Sequence, residues 1–351
     1  MSGFVSLGGG GIIGGGNSDV IAVSTSGSRP VKGSKAGASW FDLGSNFAQN
    51  LGSPGGGFGE TVKVGSEAFI VNTSGELYKT TNFRAFTRIN IVSIPSGNAP
   101  NFPGQAYLFK DPSYPNRLYA SARGNGNNWT KVWYSDDLGL NWTDCGFQTA
   151  GSTVNIKNWV IIGNYFYCGI SVVGNSGVKL YRFNRFNFSD NGQVSNTSLP
   201  SQCWSHVIGS RLFALNGSLV WTDNPLSGGN NVTFPSSFSG SCMTQRSIGG
   251  AQRQVIIGIN GSNLAIAYSN NAPESTWTLA TVPTIVLGGV SVGYMKVIPL
   301  SKQEGFVASY IDTSDNTPSG ILYSADGITW TEADAGNLTN YLNVMNNPLV
   351  G

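Results

Sequence analysis

Charge is what this sequence has least of. Asp, Glu, Lys and Arg make up 11% of it, against about 25% in ordinary soluble domains. The 20 basic and 18 acidic residues leave a formal net charge of +2. No run of Lys or Arg concentrates that charge, so the chain has no field with which to hold a nucleic acid or an anionic membrane surface. Histidine occurs once, as His206, and the 4 cysteines, Cys145, Cys168, Cys203 and Cys242, are scattered without a Cys-x-x-Cys pair. That set does not make a zinc site, and it is read as buried free thiols. No apolar stretch is long enough for a membrane-spanning helix, and Met1-Ser2-Gly3-Phe4-Val5 lacks the basic segment of a signal peptide, so neither insertion nor export is expected. A phosphate-binding Gly-x-x-x-x-Gly-Lys-Ser/Thr loop and a Gly-x-Ser-x-Gly elbow are also missing. No cofactor is expected.

Polarity comes instead from Asn, Ser and Thr, beside 48 glycines. This composition is organised around Tyr134-Ser135-Asp136-Asp137-Leu138-Gly139-Leu140-Asn141-Trp142-Thr143. It reads as a strand end, a tight turn and a new strand. A Ser or Asp side chain accepts backbone N–H bonds within such a turn, a glycine takes positive φ without penalty, and the tryptophan returns to the sheet as an apolar anchor. Tyr323-Ser324-Ala325-Asp326-Gly327-Ile328-Thr329-Trp330 repeats it one residue shorter. Tyr268-Ser269-Asn270-Asn271 with Trp277 is a looser copy, and fainter ones begin at Val23 (with Trp40), Tyr78, Tyr181 and Trp221. The leading residues fall at 23, 78, 134, 181, 221, 268 and 323, and most copies are preceded by an alternating hairpin closed at Asn-Gly or Ser-Gly. A period near 50 residues is that of one blade of a β-propeller.

Ser-x-Asp-x-Gly-x-x-Trp, complete at Ser135–Trp142, resembles the Asp-box, or BNR repeat, of sialidase-like β-propellers. Repeat units of this kind cover roughly residues 18–351. In that family the box is a structural device on the blade rim, so Ser135, Asp137, Gly139 and Trp142, with Ser324, Asp326, Gly327 and Trp330, are assigned structural roles. The expected fold is all-β: a seven-bladed propeller, with six or eight blades left open by the degenerate copies, over 18–351. Strands Val20–Ser24 and Ala38–Leu43 are expected at its start, with a strand from Leu338 to Val344 supplying what the first blade lacks and hiding the edges of an open ring.

Residues 1–17 form a separate Gly-rich segment. Gly9, Gly11 and Gly14 match a dinucleotide fingerprint only formally, since no strand precedes them and no helix follows. Phe4, Val5, Leu7, Ile12 and Ile13 on a flexible tether suit insertion into a neighbouring subunit, and a floppy tail is the plainer alternative. Two further segments are candidate ligand contacts. One is the hairpin tip 124–130, where Trp129 stands among Asn125, Asn127 and Asn128 and could stack on a sugar while the amides hydrogen-bond it. The other is an extended loop carrying Arg29, Lys32 and Lys35.

A sialidase activity, as the resemblance implies, needs three converging arginines, a Tyr–Glu nucleophile pair and an acid Asp. The family's Phe-Arg-Ile-Pro signature has only Phe83-Arg84-Ala85-Phe86 as a counterpart, inside a turn repeat, and no motif pairs a Glu with a Tyr. The sequence therefore points to a protein that is not an enzyme. In composition it is similar to tail, fibre or spike proteins of bacteriophages, which implies a multi-copy virion component joined to other subunits through the arm and able to meet a cell-surface glycan. A sialidase-like hydrolase, a free carbohydrate-binding propeller and an assembly factor of the photosynthetic membrane are the other readings.

Overall fold

In the computed structural model, the described residues are 20–24, 30–34, 37–46, 61–71, 76–83, 86–90, 106–123, 130–148, 159–171, 178–190, 192–194, 204–208, 210–226, 228–270, 276–287, 295–310, 320–333 and 341–346. They are strands and turns throughout, without a helix. Among the described residues, no helix is long and apolar enough to cross a membrane. The N-terminal segment 1–17 lies outside these residues.

Among the described residues, twenty-eight strands assemble into seven four-stranded antiparallel sheets. The first contains β1 (Val20–Ser24), β2 (Pro30–Ser34) and β3 (Phe41–Asn46), and takes its fourth strand from the end of the chain. The second is β4 (Val62–Val64), β5 (Glu67–Val71), β6 (Leu77–Thr80) and β7 (Thr87–Arg88). The third is β8 (Ala106–Phe109), β9 (Leu118–Arg123), β10 (Thr130–Ser135) and β11 (Thr143–Gln148). The fourth is β12 (Val160–Ile162), β13 (Tyr165–Ser171), β14 (Val178–Asn184) and β15 (Gly192–Val194). The fifth is β16 (Trp204–Ile208), β17 (Arg211–Asn216), β18 (Ser218–Thr222) and β19 (Asn230–Val232). The sixth is β20 (Phe238–Ile248), β21 (Ala251–Asn260), β22 (Asn263–Ser269) and β23 (Thr278–Leu279). The seventh is β24 (Lys296–Pro299), β25 (Phe306–Tyr310), β26 (Gly320–Ser324) and β27 (Thr331–Glu332). The last strand, β28 (Tyr341–Asn346), pairs with β1, Val20 opposite Asn346, so the first sheet runs β28-β1-β2-β3.

Each sheet is apolar on both faces, because each is sandwiched between two others. β5 and β25 show this directly, being buried over nearly every residue rather than on alternate ones. The core is accordingly a series of slabs. Val62, Phe69 and Leu77 of the second sheet pack with Leu108, Trp133 and Trp142 of the third. Tyr119 and Phe147 of the third pack with Phe166 and Phe183 of the fourth. The series continues from fourth to fifth through Leu180 and Leu212, from fifth to sixth through Phe213 and Ile256, and from sixth to seventh through Ile257 and Phe306. Ala22 and Trp40 of the first sheet then close on Ile298, Val307 and Ile321 of the seventh. Successive first strands also touch, β12 on β16, β16 on β20, β20 on β24 and β24 on β28. The fourth strands β7, β23 and β27 are exposed. First strands therefore line the axis and fourth strands the rim of a β-propeller.

The start of the chain corrects the sequence reading. Of the segment read as a loop, residues 30–34 are instead β2, and Lys32 pairs with Ala22 on one side and Asp42 on the other. Pro30 is tolerated as the first residue of that strand. The following strand is Phe41–Asn46 rather than Ala38–Leu43, and the C-terminal one is Tyr341–Asn346 rather than Leu338–Val344. Val23 does not lead a corner either. With the axial strand supplied by β28, β1 becomes second in its sheet, and the corner equivalent to Ser135–Trp142 falls after β2, at Ser34–Trp40.

Candidate functional site

The repeated corners connect the third strand of a sheet to its exposed fourth. In the third sheet, Ser135 Oγ accepts the Gly139 N–H at 2.8 Å and donates to Asp137 Oδ1 at 2.8 Å. Asp137 accepts the Asn141 N–H at 2.9 Å, and Trp142 Nε1 donates to the Gly139 carbonyl at 2.9 Å. Burial alone would raise the Asp137 pKa, but the bonds from Asn141 and Ser135 prevail and hold the carboxyl below its ordinary value. The seventh sheet repeats the pattern: Gly327 N–H to Ser324 Oγ at 2.7 Å, Ser324 Oγ to Asp326 at 3.0 Å, and Trp330 Nε1 to the Gly327 carbonyl at 3.2 Å. At Ser34–Trp40 the aspartate is replaced by a backbone acceptor, Ser39 O, at 2.6 Å.

These corners pack against the neighbouring sheet. Trp142, Trp330, Trp40 and Trp277 each pack into the slab shared with the preceding sheet. A Cβ on Gly139, at φ +90°, would lie 2.4 Å from Leu77 of that sheet, and one on Gly37 would lie 2.4 Å from Val307. Between the sixth and seventh sheets the contact becomes a backbone stitch, with Thr281 N–H donating to Ile328 O at 2.8 Å and Trp330 N–H to Thr281 O at 2.9 Å.

The predicted ligand contacts fall as follows. Trp129, Asn125, Asn127 and Asn128 lie between Arg123 and Thr130, the paired ends of β9 and β10, and are outside the described residues, as are Arg29 and Lys35. The apolar residues Phe4, Val5, Leu7, Ile12 and Ile13 also lie outside the described part.

A cavity of about 350 Å³ opens at the axial edge of the second, third and fourth sheets. Thr61, Val62 and Lys63 of the β4 segment form one side, Tyr107–Lys110 of the β8 segment another, and Trp159, one residue before β12, the end. Trp159 is held by its Nε1 bond to Ser121 Oγ at 3.0 Å and by stacking on Phe109, centroids 5.2 Å apart. Lys110 crosses the gap between sheets to donate its ammonium to the Lys63 carbonyl at 2.8 Å. Burial, and secondarily the Lys63 charge, lower the Lys110 pKa. Sequence reading missed this pair because two isolated lysines 47 residues apart carry no motif, and only sheet adjacency brings them together.

The axial strands also define what chemistry the ring can do. β4, β8, β12, β16, β20, β24 and β28 contain no Asp or Glu, while they contribute Lys63, His206, Arg246 and Lys296. Several carboxylates among the described residues are engaged elsewhere. Asp136 pairs with Arg117, Asp144 with Lys131, Asp190 with Arg182, Asp223 with Arg211, and Glu67 with Lys79. Buried Asp111 holds Arg185 at 2.7 Å. His206 Nε2 is buried without a hydrogen-bond partner, and burial brings its pKa down to about 4, which is unsuited to a general base near neutrality. No cluster of three or more potential metal ligands occurs among the described residues.

No family model and no curated protein matches the sequence. Solved structures do match in shape. YCF48 from Cyanidioschyzon merolae is 10% identical, with a TM-score of 0.50 over 84% of this chain and 90% of that one. A prolyl endopeptidase is 14% identical, with a TM-score of 0.51 over 95% of this chain and 51% of the other, so the present chain spans about half its length. At such identities the likeness is one of fold, and the chain is a β-propeller similar to these in architecture.

Proposed function

We propose that this chain is a non-enzymatic structural and binding propeller, a tail, fibre or spike component of a bacteriophage virion. On this reading each of the seven sheets is a blade, the Ser–Gly–Trp corners are Asp-boxes, and residues 1–17 anchor the ring to neighbouring subunits. The observation that carries the non-enzymatic part is that the seven axial strands carry no Asp or Glu. Most glycoside hydrolases use two carboxyl groups flanking one bond, and sialidases still need an acid Asp and a Glu beside their Tyr; the axial strands offer no carboxylate. The virion part is supported by the low charge, the Gly/Asn/Ser-rich composition and the apolar Gly-rich arm. Neighbours in shape include a peptidase, but a fold hosts many activities and decides none of them.

Mass spectrometry of purified particles tests the assignment. The chain should co-purify with particles at constant stoichiometry, and deletion of 1–17 should abolish incorporation while leaving the ring folded. Incorporation of the truncated chain removes the arm from the assembly role, and absence of the protein from particles overturns the virion reading. Turnover of sialoside or other glycoside substrates, lost on substitution of an axial residue, would establish an enzyme instead.

A further inference from the structure

We propose that the cavity at the axial edge of the second, third and fourth sheets is a binding site for a small organic carboxylate, its acid group held by Lys63 and Lys110 and its body resting against the edges of Tyr107, Phe109 and Trp159. The cavity, at about 350 Å³, falls within the size range of small-molecule sites, which combine apolar walls with a few convergent polar groups. Both features are present. Tyr107, Phe109 and Trp159 contribute the edges of nearly buried rings, and Lys63 and Lys110 are the only charged side chains among the described lining residues.

The placement of the lysines is what calls for an anion. Neither enters an ion pair among the described residues, although seven other cationic side chains there do. Lys110 is instead turned inward, partly buried, to a carbonyl of the neighbouring sheet. One neutral acceptor does not compensate the desolvation of an ammonium or its repulsion by a second one, and the lowered proton affinity of Lys110 is the consequence. A carboxylate between the two would satisfy both, with charge-assisted hydrogen bonds stronger than neutral ones. A cation is excluded by the same charges, and a neutral ligand would leave them uncompensated. No carboxylate of the axial strands competes for the position.

This inference rests on the ring binding rather than cleaving, and the test separates the two. Titration calorimetry or ligand-observed NMR of the full chain would use D-glucuronate and benzoate as acids, with methyl glucoside and benzyl alcohol as neutral counterparts. At least one acid should bind, and its neutral counterpart should bind roughly tenfold more weakly or not at all. Binding by glucuronate alone identifies a sugar acid as the ligand class, and binding by benzoate alone an aromatic acid. K63M and K110M should each weaken the acid roughly tenfold, K110R should retain most of the affinity, and raising the salt concentration should weaken binding through screening. If K110M does not fold, K63M alone carries the comparison. No binding of either acid at 20 mM, equal binding of the neutral counterparts, or unchanged affinity in folded K63M each overturns the proposal. Hydrolysis of an aryl glucuronide would refute the non-enzymatic reading while the binding data still decide the site.

Discussion

At the scale of single residues, the corner tryptophans have the clearest energetic role. Trp142 is buried between two sheets, tied by its indole N–H to Gly139. Trp142→Ala removes a large wedge from a slab that cannot collapse without moving a whole sheet, so it should cost roughly 3 to 5 kcal/mol in denaturant unfolding. Trp129→Ala, between β9 and β10 in sequence, should leave stability unchanged. If that segment contacts a glycan by stacking, the folded variant should lose adsorption to host cells. Gly139→Ala combines a 2.4 Å approach to Leu77 with φ +90°, and by overpacking plus backbone strain should destabilise by about 2 kcal/mol or more.

His206 makes stability depend on acid in a defined window. Its folded-state pKa of about 4 lies below the ordinary histidine value near 6.5, so between these the unfolded chain binds the extra proton. Stability is full above the upper value and falls as pH drops toward the lower one, by about 3 kcal/mol for a shift of this size. Asp137 and Asp326, both lowered, extend the loss below the ordinary carboxylate pKa. Urea midpoints measured from pH 7 to pH 4 should decline, and His206→Gln should flatten the histidine part of the slope.

At the scale of elements, ring closure depends on one strand. β28 follows the seventh sheet yet completes the first, hydrogen-bonding to β1 and packing on β24. Deleting residues 341–351 would expose the edge of β1 and separate the first sheet from its axial strand. The truncated chain should lose its single cooperative melting transition and aggregate, a result readable by calorimetry and light scattering. The corners act at this scale too, because each joins its own sheet to the preceding one. The Thr281–Thr329 stitch and the packing of Gly139 on Leu77 are two forms of that junction.

At the scale of the molecule, low charge and slab packing go together. Each sheet must be apolar on two faces, which leaves loops and exposed outer strands to carry polarity, and the chain fills them with Gly, Asn and Ser. Surface ion pairs such as Lys79–Glu67 and Arg211–Asp223 contribute little individually. Stability should therefore vary little with ionic strength, whereas acid binding in the axial cavity should weaken with it; the contrast can be measured on one sample. Rising pH should also weaken that binding earlier than an ordinary lysine would, since Lys110 loses its proton at lower pH.

The repeat was legible in the sequence because it is local. Ser135, Asp137, Gly139 and Trp142 are tied by bonds spanning two to four residues, so spacing alone reports the corner, and a recurrence near 50 residues reports the propeller. The first corner was misread at Val23 because its sheet is completed by a strand from the other end of the chain, and local pattern cannot show which sheet position a strand will occupy. The same limit hid the cavity. Lys63 and Lys110 sit in separate sheets and meet only when β4 and β8 come side by side at the axis. That the axial strands carry no carboxylate could be tested only once those strands were known to be axial. The sequence by itself determined the corners, the strands around them and the ring they imply, since these follow from contacts within a few residues; only the tertiary structure decided which strand faces the axis and which distant side chains converge there, because those contacts form between sheets that no local pattern relates.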